Sequence, residues 1–190
     1  QNTTDFSSSF RLSPHFTLGM LIPPGIILKD TILPPGKSEP NGRTERTYTK
    51  QELVSNLAAL AVNILEPIYD MLGAPAGKFG PQDPQGRWCI NDGLRNNTNG
   101  SDHNKGRAID IRLNPRATHE EMFEFAKKLE AMLPYNQIIL EYRKPGAKGN
   151  STGAWQNWIH ISYSTQGNQK MAFTMVDDVS VNKNGFSLYG

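Results

Sequence analysis

Apolar residues recur along this chain with two different periods, and the switches between them divide it into elements. Leu53, Leu57, Leu60, Ala61, Ile64, Leu65, Ile68, Met71 and Leu72 fall at helical intervals, which predicts a long amphipathic helix. Thr49 followed by Glu52 reads as a capping box at its start, and Gly73 stops it. Pro67 falls inside the stripe and lacks an amide hydrogen, so a kink or break near Asn63 is expected. A second helix starts at the capping box of Thr118 and Glu121, buries Met122, Phe125, Ala126, Leu129 and Leu133, and ends at Pro134. Strand-like stretches fill the rest: Arg87 to Asp92, Ala108 to Ile111, Gln137 to Arg143, Asn157 to Tyr163 and Lys170 to Val176. Helix, strand, strand, helix and three strands in that order predict an α+β domain, an antiparallel sheet with flanking helices.

The ends read differently. Residues 1–9 are polar and read as a loose arm, whereas Phe10 to Gly19 alternates enough to dock on a core. Residues 22–48 carry Pro23-Pro24-Gly25, Pro34-Pro35-Gly36 and Pro40-Asn41-Gly42, the punctuation of an extended surface excursion. The expected organisation is therefore an arm and excursion over 1–48, with 10–21 docked on a domain over 49–176, and a tail over 177–190. At 190 residues the chain is long enough to bury a sizeable core. Its net charge of +2 is scattered, which suits an anionic polymer such as a cell wall and leaves no stripe for nucleic acid. A single cysteine, Cys89, excludes an internal disulfide and a thiolate zinc cluster. The absence of an 18-residue apolar run argues against membrane insertion, and no basic-then-apolar leader is read at the N-terminus.

Candidate chemistry concentrates between Ser101 and Ile111. His103 and Asp110 offer a neutral imidazole and a carboxylate that can converge on one Zn²⁺. Gly106 between them lets the backbone turn sharply or come close to a metal. In the strand that follows, the pleat sends Ala108 and Asp110 to one face and Ile109 and Ile111 to the core. A third ligand is expected at His160. The period of two in Trp158-Ile159-His160-Ile161-Ser162 sets Trp158, His160 and Ser162 against the apolar Ile159 and Ile161. The same rule separates Ile138, Leu140 and Tyr142 from Ile139, Glu141 and Arg143, so Glu141 shares the open face with His160 if the two strands are antiparallel neighbours. His15 reads as packing, His119 as an exposed residue at a helix start, and the Asn-x-Ser/Thr triplets at Asn96, Asn99 and Asn150 as loop chemistry rather than glycan sites.

Ser-x-His-x-x-Gly-x-Ala-x-Asp at 101–110, with Trp-Ile-His at 158–160, resembles the zinc D-Ala-D-Ala carboxypeptidase and endopeptidase family. That family includes bacterial wall-trimming enzymes and several phage endolysins, and the Hedgehog signalling domain shares its fold. The likeness extends to Leu12-Ser13-Pro14-His15-Phe16-Thr17 and Leu65-Glu66-Pro67-Ile68, and so covers most of residues 10–165. It implies a Hedgehog/DD-peptidase-like fold and one Zn²⁺ per chain on His103, Asp110 and His160, with water in the fourth position. It also implies that Arg95 holds charge on the substrate or transition state and that Ser101 contacts the substrate; Trp158, beside the last ligand, is counted with them. Many members place the catalytic carboxylate three residues before the last histidine, where this chain has Asn157. An amide cannot take a proton from water, and Glu141 is read as the base in its place, a position at which Hedgehog domains and phage-type members look similar.

The expected function is zinc-dependent hydrolysis of peptide bonds in bacterial peptidoglycan. The setting is a phage virion or tail protein, or an endolysin acting in the host periplasm or cell wall, with other phage tail or baseplate proteins as partners. The alternative is a catalytically inactive phage structural or wall-binding protein that keeps the zinc-peptidase fold. A Hedgehog-like signalling module is disfavoured by the missing leader.

Overall fold

The computed structural model describes residues 6–34, 46–76, 87–97 and 99–190. In chain order these form α1 (Leu18–Leu21), β1 (Thr31–Leu33), β2 (Arg46–Tyr48), α2 (Lys50–Leu60), a π-helical turn (Ala61–Leu65) and α3 (Glu66–Leu72). Then follow β3 (Trp88–Asp92), a 3₁₀ turn (Asp102–Lys105), β4 (Ala108–Leu113), α4 (His119–Met132), β5 (Gln137–Arg143), β6 (Gln156–Ser162), β7 (Met171–Val176) and β8 (Val179–Asn182). The fold is mixed α+β.

Pro67 explains the π-helical turn. Its ring removes the amide that would bond back to Asn63, and the helix widens over Ala61–Leu65 instead of breaking. The Asn63 side chain meanwhile donates to the Ala59 carbonyl at 2.8 Å. The capping box at Thr118 is complete, with the Glu121 amide on Thr118 Oγ1 at 3.1 Å and the Thr118 amide on Glu121 Oε2 at 3.2 Å. The one expected at Thr49 is half formed. Thr49 Oγ1 accepts from the Glu52 amide, but the Glu52 carboxylate turns away to Arg46 Nη2 at 3.0 Å.

The main sheet has the strand order β3-β4-β6-β5-β7-β8. It is mixed rather than antiparallel throughout: β5 and β7 run parallel and every other neighbouring pair antiparallel. The chain reverses twice, from β5 to β6 and from β6 to β7, so β7 takes the direction of β5. Because β4 occupies the other edge of β6, β7 settles on the remaining edge of β5. Ile109, Ile111, Ile138, Leu140, Ile159 and Ile161 project from one face into a single core with Leu57, Leu60 and Ile64 of the long helix and Met122, Phe125 and Leu129 of α4. Six isoleucines and leucines at alternate strand positions, all without solvent exposure, fix the register of β4, β5 and β6.

The expected docking of 10–21 takes the form of Leu12, Phe16, Leu18 and Leu21 entering this core. His15 serves that docking: Ser13 Oγ and the His15 amide both donate to Glu66 Oε1, His15 Nδ1 lies 2.7 Å from Glu66 Oε2, and the imidazole stacks on Tyr69 at 3.8 Å. Within the excursion β1 and β2 pair antiparallel, and Leu33 and Tyr48 form a small second core with Leu53 and Leu94. Residues 1–5 of the arm, residues 35–45 of the excursion and residues 77–86 of the following loop lie outside the described residues. Residues 177–190, expected as a tail, continue the fold. Asp177 and Asp178 turn the chain at positive φ (48° and 65°) into β8, and Phe186 and Tyr189 pack against the main core. No helix among the described residues is long and apolar enough to cross a membrane.

Candidate metal centre

The open face of the sheet begins with the loop after β3. Gly93 brings it against α1 so closely that a Cβ there would sit 2.1 Å from the Leu21 carbonyl oxygen. Its own carbonyl then receives His103 Nδ1 at 2.8 Å. His103 rides on the 3₁₀ turn, which Gly106 closes at φ 68°, ψ 21°. A Cβ at Gly106 would meet the Leu53 carbonyl at 2.8 Å, so the close approach expected of this glycine is made to α2 and not to a metal. The strand that follows delivers Asp110, whose cross-strand partner in β6 is His160.

Three donor atoms converge there. His103 Nε2 lies 3.0 Å from His160 Nδ1, and each of them lies 3.1 Å from Asp110 Oδ1. All three residues are buried. The Gly93 carbonyl can only accept, so it holds the proton of His103 on Nδ1 and leaves Nε2 a lone pair. That lone pair faces a carboxylate oxygen and a second imidazole nitrogen, and only His160 can place a proton between them. Three acceptors around one point are the arrangement a cation satisfies, and His103 already donates its other ring nitrogen to a carbonyl, as metal-bound histidines do. The buried His103–Asp110–His160 triad can therefore hold a metal ion.

The electrostatics agree. Burial alone would raise the Asp110 carboxyl, but the imidazoles packed around it, with His160 as the proton donor, outweigh burial and hold it well below the ordinary carboxylate range. Burial likewise works against a charged His160, and the hydrogen bond and charge of Asp110 overcome it, so this imidazole is raised. Arg95 fixes the second oxygen of the Asp110 carboxylate. Its Nη2 donates to Asp110 Oδ2 at 3.1 Å and its Nε to Asp92 Oδ2 at 2.7 Å.

Glu141 stands beside the triad on the same face, half-buried, with Trp158 as its cross-strand partner. Trp158 Nε1 donates to Glu141 Oε2 at 2.8 Å. Burial pushes the Glu141 carboxyl up, and Asp110 adds to the shift against the counteracting imidazoles and the Trp158 bond. Ser101 is further out. Its hydroxyl donates to Asn104 Oδ1 at 2.7 Å, so it belongs to the loop network and makes no hydrogen bond to the triad. Asn157 faces the opposite side of the sheet, where its Nδ2 lies 3.0 Å from His119 Nδ1. His119, expected to be exposed, is half-buried by that contact and by stacking on Tyr142.

Three contributors escaped the sequence reading. Asn104, buried beside His103, binds the Asn97 carbonyl, Asn97 Oδ1 and the Arg95 carbonyl and so ties the loop together. Asp92 orients Arg95 from three residues upstream; Asp-Gly-Leu-Arg, an acid and a base one turn apart around a glycine, is the signal that could have revealed the pair. Gly93 acts through its carbonyl, which no side-chain motif encodes. No family model, no curated protein and no solved structure matches the chain.

Proposed function

We propose that the protein is a zinc peptidase of Hedgehog/DD-peptidase-like fold that hydrolyses peptide bonds of bacterial peptidoglycan as a phage tail-associated or endolysin-type protein. The observation that carries the reading is the donor set: two imidazole nitrogens and one carboxylate oxygen around a point, with no fourth residue in the group among those described. Structural zinc is closed by four protein ligands, whereas catalytic zinc keeps a position for water or substrate. His103, Asp110 and His160 would hold the Zn²⁺, which would supply a Lewis acid for the scissile carbonyl and a water of pKa lowered to about 7.

The protein's own groups have matching tasks. Glu141, with Oε2 engaged by Trp158, keeps Oε1 to receive the proton of the attacking water and return it to the leaving amine, and its raised carboxyl moves toward the range such proton traffic needs. Arg95 holds Asp110 in place, and its Nη1, which has no partner among the described residues, is available to developing negative charge. Trp158 and Ser101 would contact the substrate. The inactive, wall-binding alternative drew its strength from Asn157, and that residue lies on the far face with His119 rather than where a base would act.

The test is metal analysis of the purified protein together with release of new amino groups from purified peptidoglycan. About one zinc per chain and chelator-sensitive release are expected. A zinc-loaded protein that releases no amino groups would leave only the binding reading.

A further inference from the structure

One arginine on the metal side of the sheet has no role in this scheme. Arg112 lies in β4 two residues beyond Asp110, while Ile111 and Leu113 on either side of it pack into the main core, so the pleat turns Arg112 to the face that carries Asp110. At about 3.3 Å of rise per residue its Cα is roughly 7 Å from that of Asp110. Ile111 pairs with Ile159, and one further step in this register sets Arg112 alongside Trp158, whose partner on its other side is Glu141. The row Arg112, Trp158, Glu141 thus runs next to the row Asp110, His160.

Each acid of this face already accepts a hydrogen bond. Asp92 and Asp110 hold Arg95, and Glu141 accepts from Trp158. The Arg112 side chain forms no ion pair or hydrogen bond with any described residue, and its Nε is buried without an acceptor. Buried donors left unmade are few in folded proteins because each loses its water without replacement. The guanidinium is a planar fork that matches a carboxylate through two parallel bonds. We propose that Arg112 binds a carboxylate of the peptide substrate, one row from the metal centre, and selects for peptides that carry it. The choice of a peptide as ligand rests on the peptidase reading.

A peptidoglycan stem with lysine at its third position offers two such groups, the C-terminal carboxylate and the free carboxyl of its γ-linked D-glutamate, and the test with that stem separates them. Zinc-loaded Glu141→Gln protein, which prevents turnover, is titrated calorimetrically with three forms of the stem pentapeptide: unmodified, C-terminally amidated, and amidated at the D-glutamate. One amidated form should bind on the order of ten- to a hundredfold more weakly, the range for losing a hydrogen bond to a charged group, and its identity names the carboxylate. Adding Arg112→Gln should erase that difference while zinc content and circular dichroism are unchanged. Arg112→Lys, which keeps the charge but not the fork, should retain part of it, and serves alone if the glutamine variant does not fold. Equal binding of all three peptides, no binding, or a preference unaltered by either substitution overturns the proposal. Carboxylate preference lost with Arg112, in a protein whose wild type releases no amino groups from cell wall, supports Arg112 and overturns only the peptidase reading.

Discussion

The same three strands build both faces of the sheet, yet the faces do different things. Toward the helices β4, β5 and β6 send Ile109, Ile111, Ile138, Leu140, Ile159 and Ile161 into a core with no solvent exposure. Toward the other side they send Asp110, Glu141, Trp158 and His160, which pair within the set, Asp110 with His160 and Glu141 with Trp158. One register serves both. Because side chains alternate with a period of two, slipping β6 by a single residue would carry His160 into the core and Ile161 into the metal centre. The apolar face therefore positions the triad as firmly as its own hydrogen bonds do. Asn157 shows the rule from the reverse direction: three residues from His160, it is forced to the helix side and pairs with His119.

The largest effect should come from removing a ligand. His160→Ala or His103→Ala should abolish zinc retention and hydrolysis, seen by metal analysis of dialysed protein, and lower the melting temperature of the zinc-loaded sample. The same atoms predict a pH dependence. In the metal-free protein His160 is raised above the ordinary imidazole value near 6.5 by Asp110, against burial. That pair stabilises the metal-free fold fully below about pH 6.5 and ceases to do so as pH rises through the raised value. Zinc must displace this proton, so its affinity should weaken about tenfold per pH unit below that value, measurable with a competing chelator. No weakening would place the proton elsewhere.

Glu141→Gln should leave zinc and fold intact and slow hydrolysis by about 10²–10⁴, equivalent to roughly 3–5 kcal/mol of barrier. A variant as fast as wild type would take the role of base away from Glu141. Ile161→Ala sharpens the comparison from the other face: it should cost about 2–5 kcal/mol of stability through the cavity it leaves, with the zinc stoichiometry of the folded protein unchanged. The smallest effect is expected at Asn157. Asn157→Asp should give no gain in hydrolysis, because the new carboxylate faces α4, and its stability should change by about 1 kcal/mol or less through the contact with His119. A marked gain in activity would mean that this residue reaches the metal side.

Much of this was legible in the sequence because it depends on local periods. The pleat rule assigns His160, Asp110 and Glu141 to one side of their strands and the isoleucines to the other without reference to any neighbour. The caps of α2 and α4 and the disturbance caused by Pro67 are equally local, since each involves groups within about one turn. What the sequence could not provide were relations between segments far apart in the chain. The parallel pairing of β5 with β7 depends on which sheet edge is free once β4 has docked. The 3 Å meeting of His103 with His160 depends on β4 and β6 being neighbours in one register. The tautomer of His103 depends on a glycine carbonyl that is placed by its contact with α1, and the unmade bond of Arg112 Nε on which side chains the neighbouring strands bring beside it. Alternation is a property of a single strand, so the sequence alone determined which side each residue faces. Strand adjacency, register and the pairing of charges are properties of the assembled sheet, so only the tertiary structure decided which residues meet.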